Sequence, residues 1–168
     1  MTGVLAQSLE RARALGRKAF LPYVTGGLPA VTATVLRSLA ACGADAIEVG
    51  VPFSDPIMDG PVIQEASRRA LEGGATPTGV LELVRRAEAS VPVVLMTYLN
   101  PVMAYRMERF AADAAAAGVA GVIIPDLPVD EADQWIACAK AAGVATVFLA
   151  APNSAPGRSE TGASWRRR

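Results

Sequence analysis

The feature that most constrains the fold is a phrase that recurs three times along the chain. It reads AACGADAIEVGVP (residues 40–52), AAAGVAGVIIPDLP (115–128) and KAAGVATVFLAAP (140–152). In each copy an Ala-rich stretch ends at a glycine, which takes the left-handed conformation of a helix C-cap without strain. A β-branched apolar run follows and stops at a proline, which a central strand excludes. The phrase therefore predicts units of a helix followed by a strand.

Two further apolar runs match the strand part of this phrase, Phe20–Thr25 and Val93–Tyr98. Strands are thus expected to begin near residues 20, 46, 93, 120 and 145. Nearly all-apolar strands that alternate with helices are typical of a parallel sheet covered on both faces. The helical patterns are Leu5–Leu15, Pro29–Ala41, Pro61–Leu71, Val80–Ala89, Met103–Ala117 and Glu131–Ala142.

The length limits how much of a barrel this pattern can build. A TIM (β/α)₈ barrel takes about 250 residues, so 168 residues supply about five βα units. The predicted fold class is α/β, of the TIM-barrel family but incomplete, with residues 1–152 as a partial barrel that includes an N-terminal helix. Residues 153–168 have no strand run and no periodicity, and we expect a disordered tail there. A five-stranded parallel sheet has two open edges, which predicts a marginally stable chain with little catalytic activity.

Composition excludes several classes of function. Basic and acidic residues number 16 each, so the net charge of zero disfavours a general nucleic-acid binder. Histidine is absent, which excludes histidine-based triads and metal sites and leaves proton transfer to carboxylates, Lys, Tyr or Cys. Cys42 and Cys138 form no CxxC pair, and their apolar neighbours favour buried, inert thiols in a reducing cytoplasm. No apolar run reaches the roughly 20 residues of a membrane span.

Glu48 is the first candidate for chemistry, because strand alternation separates it from its neighbours. If Ile47 and Val49 pack against helices, Glu48 points to the opposite side, toward the barrel axis. Catalytic groups of such barrels lie at the carboxyl ends of the strands. Apolar surroundings would raise the pKa of this carboxyl toward a range useful for proton transfer. The alternative is a buried glutamate satisfied by a backbone group or water.

The loop at residues 50–61 follows this strand and carries Asp55 and Asp59. A second carboxylate over the first is the arrangement for a two-group acid–base reaction. Asp55 precedes a proline and is also typical of a turn-capping aspartate, and this alternative is weaker for Asp59.

Other candidates near the strand ends allow two interpretations each. The segment TGGLP (25–29) fits either a phosphate cradle or a plain strand-to-helix turn. Asp126 fits either a ligand-binding group or a turn former. Tyr23, Tyr98 and Ile124 fall on predicted strands and line either an apolar pocket or the core.

Four consecutive segments resemble one family. They are LPYVTGGLP, GADAIEVGVPFSDPIMDGPVIQ, PVVLMTYLNPV and AGVAGVIIPDLPVDE, and their order and spacing resemble the tryptophan synthase α subunit over about residues 5–152. The pattern E-x-G-x-P-F-S-D-P-x-x-D-G-P is the most specific part. The resemblance implies a TIM barrel that cleaves indole-3-glycerol phosphate to indole and glyceraldehyde 3-phosphate.

The resemblance also implies roles for individual residues. Glu48 matches the family's acid–base glutamate, and Asp59 matches the carboxylate that faces the indole nitrogen. The positions around the indole are matched by Tyr23, Met96, Tyr98, Ile124 and Leu149. No cofactor or metal is expected, since pyridoxal phosphate belongs to the partner β subunit. The loop 50–61 and Asn100 correspond to surfaces that meet this subunit in an α₂β₂ tetramer.

Two departures from the family pattern affect these expectations. Leu28 stands where the family usually has aspartate, which bears first on the contact with the β subunit. The loops after strands seven and eight, which supply the phosphate site in such barrels, are not matched, and the reading after Pro152 is typical of a truncation or frameshift. The alternatives are a non-catalytic fragment that at most contacts the β subunit, another phosphate-binding barrel such as indole-3-glycerol phosphate synthase, or a pure binding module.

Overall fold

Five short parallel strands form one sheet in the computed structural model of the protein, which describes residues 3–150. The sheet order is β1-β2-β3-β4-β5, so each strand pairs with its neighbour in sequence. The strands are β1 Tyr23–Thr25, β2 Ile47–Gly50, β3 Val93–Met96, β4 Val119–Ile123 and β5 Ala145–Val147. The predicted α/β class with about five βα units is confirmed, and residues 153–168 lie outside the described part of the chain.

Seven α-helices accompany these strands within residues 3–150. They are α1 Val4–Ala14, α2 Ala33–Ala41, α3 Pro61–Glu72, α4 Pro77–Ala87, α5 Leu99–Tyr105, α6 Met107–Ala116 and α7 Asp133–Ala142. A short 3₁₀ turn at Val129–Glu131 precedes α7. No helix in this described range is long and apolar enough to cross a membrane.

Helix boundaries differ from the sequence prediction where local caps decide them. Helix α2 begins at Ala33 rather than Pro29, because the Thr32 side chain accepts a hydrogen bond from the Val35 N–H at 3.4 Å and caps the helix. The single helix predicted over Met103–Ala117 is wrong. It is two helices, because Arg106 takes φ +76°, which an α-helix cannot continue through.

The two cysteines also differ from expectation. Cys42 is the C-cap of α2 and is exposed, and Cys138 on α7 is partly buried. The prediction of a buried thiol is therefore wrong for Cys42, since apolar neighbours in sequence do not bury a residue at a helix end. Both thiols are free.

The main core lies between one face of the sheet and the helices. Ile47, Val49, Leu95 and Val122 are fully buried on this outer face and belong to the same cluster as the helical Leu36. Full burial of one such aliphatic side chain stabilises the fold by about 1.5–3 kcal/mol. The outer faces of β2, β3 and β4 are thus committed to apolar packing.

A smaller cluster covers the inner face at the amino ends of the strands. Leu5 of α1 packs there with Ala46 and Val94. Arg17, just after α1, donates two hydrogen bonds to the Asp45 carboxylate, both 2.6 Å long. The Arg17 guanidinium and then the Phe20 N–H lower the pKa of Asp45 to about 2. These contacts fasten α1 under the sheet and leave the carboxyl-end half of the inner face for the site.

Candidate functional site

The inner face of the sheet is arranged in two layers by the strand register. Tyr23, Glu48, Val94, Gly121 and Ala145 are aligned partners across the five strands and form the lower layer. The upper layer, nearer the carboxyl ends, consists of Thr25, Gly50, Met96, Ile123 and Val147. Among the ten residues of these two layers, Glu48 is the one with a charged side chain.

Glu48 lies on the inner face because its two neighbours are committed to the outer core. Ile47 and Val49 are each 0% exposed among the helices. Glu48 itself is half-buried, and no lysine or arginine of residues 3–150 forms an ion pair with it. Burial raises the pKa of the Glu48 carboxyl, and the negative charge of Asp59 raises it further. The position agrees with the alternation argument, although Glu48 is only half-buried.

Gly50 makes room for a tyrosine beside Glu48. A Cβ atom at Gly50 would lie 2.1 Å from the Tyr23 hydroxyl oxygen and 2.7 Å from Cζ. The Thr25 hydroxyl donates to the Tyr23 oxygen at 3.3 Å. Burial raises the pKa of Tyr23, and the charges of Asp59 and Glu48 add to this. The Tyr23 phenol is therefore a neutral group near both carboxylates.

The loop 50–61 brings Asp59 over the inner face. The Asp59 N–H donates to the Pro56 carbonyl at 3.0 Å, and the Gln64 amide of α3 donates to the Asp59 carbonyl at 2.9 Å. The Met58 N–H donates to the Tyr98 hydroxyl at 2.9 Å. Partial burial raises the pKa of the Asp59 carboxyl, and the Tyr98 hydroxyl acts in the opposite direction.

Asp55 and Asp126 both accept hydrogen bonds that serve the structure. Asp55 is exposed and accepts a hydrogen bond from the Ser54 hydroxyl, within a turn, which is the turn alternative for this residue. Asp126 accepts a hydrogen bond from the Leu99 N–H at 2.9 Å, at the start of α5. Asp126 therefore joins the segment after β4 to α5, a contact that the turn alternative did not predict.

The glycines of segment 25–29 have packing reasons for their presence. A Cβ at Gly26 would lie 2.8 Å from a Val80 methyl group, and one at Gly27, where φ is +83°, would lie 2.4 Å from the Ala75 Cβ. The Gly26 N–H donates to the Gly50 carbonyl at 2.8 Å. This favours the plain strand-to-helix turn over a phosphate cradle.

The predicted apolar wall is only partly observed. Met96 and Tyr98 are 7% and 2% exposed at the end of β3. Ile124 is wrong as a wall residue: it packs in the outer core, because the register shift between β3 and β4 gives the inner position to Ile123. Leu149 lies beyond β5 and is 60% exposed.

Two contributors escaped the sequence argument. The Phe53 ring packs against the Tyr98 ring with centroids 5.3 Å apart. Gly50 contributes because it has no side chain, which leaves room for the Tyr23 ring. The only signal available in the sequence was position: Gly50 ends the strand that carries Glu48, and Phe53 follows it by three residues.

The parallel sheet with its helices is of the TIM-barrel type, and two carboxylates, Glu48 and Asp59, lie toward the carboxyl ends of its strands, where such barrels place their sites. A family model described as tryptophan synthase alpha chain matches residues 9–163. The chain belongs to this family, which is a family of lyases.

Relatives and solved structures agree with this assignment. The chain is 48% identical over 154 residues to the tryptophan synthase alpha chain of Thermobifida fusca, covering 90% of this chain and 57% of the relative. It is similar to the crystal structure of tryptophan synthase subunit alpha from Legionella pneumophila, with a TM-score of 0.90, 36% identity, and 96% and 63% of the two chains covered. It is also similar to a chain of the tryptophan synthase α₂β₂ complex of Pyrococcus furiosus, with a TM-score of 0.80, 41% identity, and 87% and 64% covered. The chain thus spans a little over half the length of its curated relatives.

The Tyr23–Gly50 contact gives a test of the inner face. We expect Gly50→Ala to destabilise the protein by about 1–3 kcal/mol, because the new methyl group overlaps the Tyr23 ring. Chemical denaturation measures this change. Gly79→Ala, in the first turn of α4, is the matched control and should change stability little, since alanine favours a helix while its Cβ would lie 3.3 Å from the capping Thr76 hydroxyl oxygen.

Removing the Tyr23 ring should relieve the overlap and restore stability. In a Tyr23→Val background, which lacks the ring, Gly50→Ala should lower the free energy of unfolding by less than it does in the wild-type background. An equal cost of Gly50→Ala in both backgrounds would show that the Tyr23 ring does not occupy this space.

Proposed function

We propose that Glu48 and Asp59 carry out the retro-aldol cleavage of indole-3-glycerol phosphate to indole and glyceraldehyde 3-phosphate. The observation that carries this proposal is the pair itself: two carboxylates on one inner face, each with a raised pKa, and each without an arginine or lysine partner among residues 3–150. Family membership supports the choice of reaction.

The first step requires a proton at indole C3. A carboxyl with a raised pKa keeps more of its acid form at a given pH than an ordinary glutamate, and burial raises the pKa of Glu48, so we assign this proton to Glu48. As C3 gains this proton, the ring nitrogen becomes cationic and its N–H becomes acidic. Asp59 accepts or shares that proton, so no net charge accumulates in the ring.

The second step breaks the carbon–carbon bond. The Glu48 carboxylate, having given its proton to C3, removes the proton from the hydroxyl on the adjacent glycerol carbon. The oxygen forms the aldehyde carbonyl, the bonding electron pair moves into the indole ring, and Asp59 returns a proton to the nitrogen. Every atom is retained and no electron acceptor is needed, so we expect the chain itself to use neither cofactor nor metal.

The aromatic substrate is expected to bind against the rings and the thioether around these carboxylates. Tyr23 and Met96 face it from β1 and β3, and Tyr98 and Phe53 close the side under the loop. These flat and apolar surfaces suit an indole ring. Leu149, just after β5, is 60% exposed, so it would join this wall only when a bound substrate or partner covers it.

We also propose that the loop 50–61 meets a tryptophan synthase β subunit, which would hold the pyridoxal phosphate. Ile57 and Met58 of this loop are 79% and 57% exposed, and Val62 at the start of α3 is 82% exposed. Met103 and the exposed Asn100 of α5 extend the same rim. A cluster of exposed apolar side chains is typical of a protein interface. An α₂β₂ complex is named for the similar Pyrococcus furiosus structure.

Removal of the Glu48 acid is the sharpest test of the reaction. The open sheet edges predict a low wild-type rate of indole release from indole-3-glycerol phosphate, and we expect Glu48→Gln to lower that rate by about 10²–10⁴-fold. Folding stability should be unchanged or higher at neutral pH. Because the folded-state pKa is raised above 4.5, the folded protein binds more protons than the unfolded chain just above that pH, and the ionised carboxyl lowers stability. Fluorescence detection of indole and thermal melting measure the two effects.

The control is Glu82→Gln, the same change on the exposed side of α4, where the carboxylate pairs with Arg85 and Arg86. It should leave indole release unchanged. Release that is equal in wild type and Glu48→Gln, or no release above that of substrate alone, would contradict the proposal.

The partner surface is tested independently of turnover. We expect Ile57→Ser to weaken binding of a purified β subunit by about tenfold, a typical loss for an exposed apolar anchor at an interface. Leu15→Ser is the matched control, since Leu15 is 65% exposed at the end of α1, at the opposite end of the strands. Titration calorimetry gives both affinities, and equal losses for the two variants would exclude the loop as the contact.

A further inference from the structure

We propose that the Tyr98 hydroxyl is the positioning group that holds the loop 50–61, and with it Asp59, over the inner face of the sheet. Tyr98 thus acts through Asp59 rather than on the reacting atoms. The importance of this contact for catalysis rests on the proposed function, whereas the contact itself does not.

The hydroxyl reaches the residue next to Asp59. The Tyr98 oxygen accepts the Met58 N–H at 2.9 Å, although the Met58 side chain is 57% exposed. The Tyr98 ring, which is 2% exposed, also contacts the Phe53 ring at 5.3 Å between centroids. The loop is therefore held by Tyr98 near both of its ends, and the hydrogen bond fixes the end that bears the carboxylate.

The base of Tyr98 is itself fixed. Tyr98 is the N-cap residue of α5, and the N–H of the next residue, Leu99, donates to the Asp126 carboxylate at 2.9 Å. Asp126 lies after β4, and Tyr98 lies after β3. The contact at Met58 consequently ties the loop after β2 to two further segments at the same end of the sheet.

The proton of the Tyr98 hydroxyl remains available to Asp59, because the oxygen accepts from Met58. Burial is the main cause that raises the pKa of Tyr98 to about 12, so the hydroxyl keeps this proton at neutral pH. Its interaction with Asp59 lowers the pKa of that carboxyl against the effect of burial. Asp126 after β4 also raises the pKa of Tyr98, and the charge of Asp59 in turn raises the pKa values of Glu48 of β2 and Tyr23 of β1.

Hydrogen exchange at the Met58 amide tests the contact directly. In the wild-type chain this amide should be protected, even though its side chain is exposed. In Tyr98→Phe, which keeps the ring, its exchange should be about fivefold faster, as expected for the loss of one hydrogen bond. Tyr105→Phe is the matched control: its hydroxyl donates to Asp113 at 2.8 Å, away from the loop, and Met58 exchange should not change.

Titration of the Asp59 carboxyl by carbon NMR separates positioning from simple packing. Tyr98→Phe should raise the pKa of Asp59, and Phe53→Leu, which removes the ring contact but keeps the hydroxyl, should leave Met58 exchange within about twofold of wild type. An unprotected Met58 amide in the wild type, or an unchanged Asp59 pKa in folded Tyr98→Phe, would overturn the proposal. None of these readouts depends on turnover, so a chain that releases no indole would refute the proposed function and leave this contact standing.

Discussion

The period of two along β2 is the constraint on which the rest of the structure depends. Ile47 and Val49 fill the outer core without residual exposure, so Glu48 must face the other side. A shift of one residue would place the carboxylate among aliphatic side chains and expose two of them, and an uncompensated buried charge costs about 3–5 kcal/mol. The same packing that stabilises the sheet therefore determines where the Glu48 carboxylate lies.

The candidate site sets two phenols beside two carboxylates that have no arginine or lysine partner among residues 3–150. The Tyr98 hydroxyl interacts with Asp59, and the charges of Asp59 and Glu48 act on Tyr23. An arginine or lysine in these places would have lowered the carboxyl pKa values and favoured the anions. In contrast, Asp45 at the other end of β2 is paired with Arg17, and its pKa falls to about 2. The segment just before β2 thus has a paired carboxylate that stabilises the fold, and β2 itself carries the carboxylate that we propose for chemistry.

Much of this arrangement could be predicted from the sequence, for identifiable reasons. The alternation of β2 placed Glu48, and the repeated helix–Gly–strand phrase gave the parallel order of the sheet, because both depend on local periodicity. Ile124 was misplaced because the register between β3 and β4 shifts at Val93, which only the pairing of strands reveals. The contacts of Tyr98 with Met58 and Phe53 join residues about 40 positions apart, and no local pattern encodes them.

The most direct test of the account is the pKa of Glu48, measured by NMR titration of its carboxyl carbon in the folded protein. Partial burial and the charge of Asp59 predict a value above the ordinary 4.5, and a lower value in Asp59→Asn than in wild type. A Glu48 carboxyl that titrates at or below 4.5, with no response to Asp59→Asn, would mean that it is solvated or paired and would contradict its role as the proton carrier.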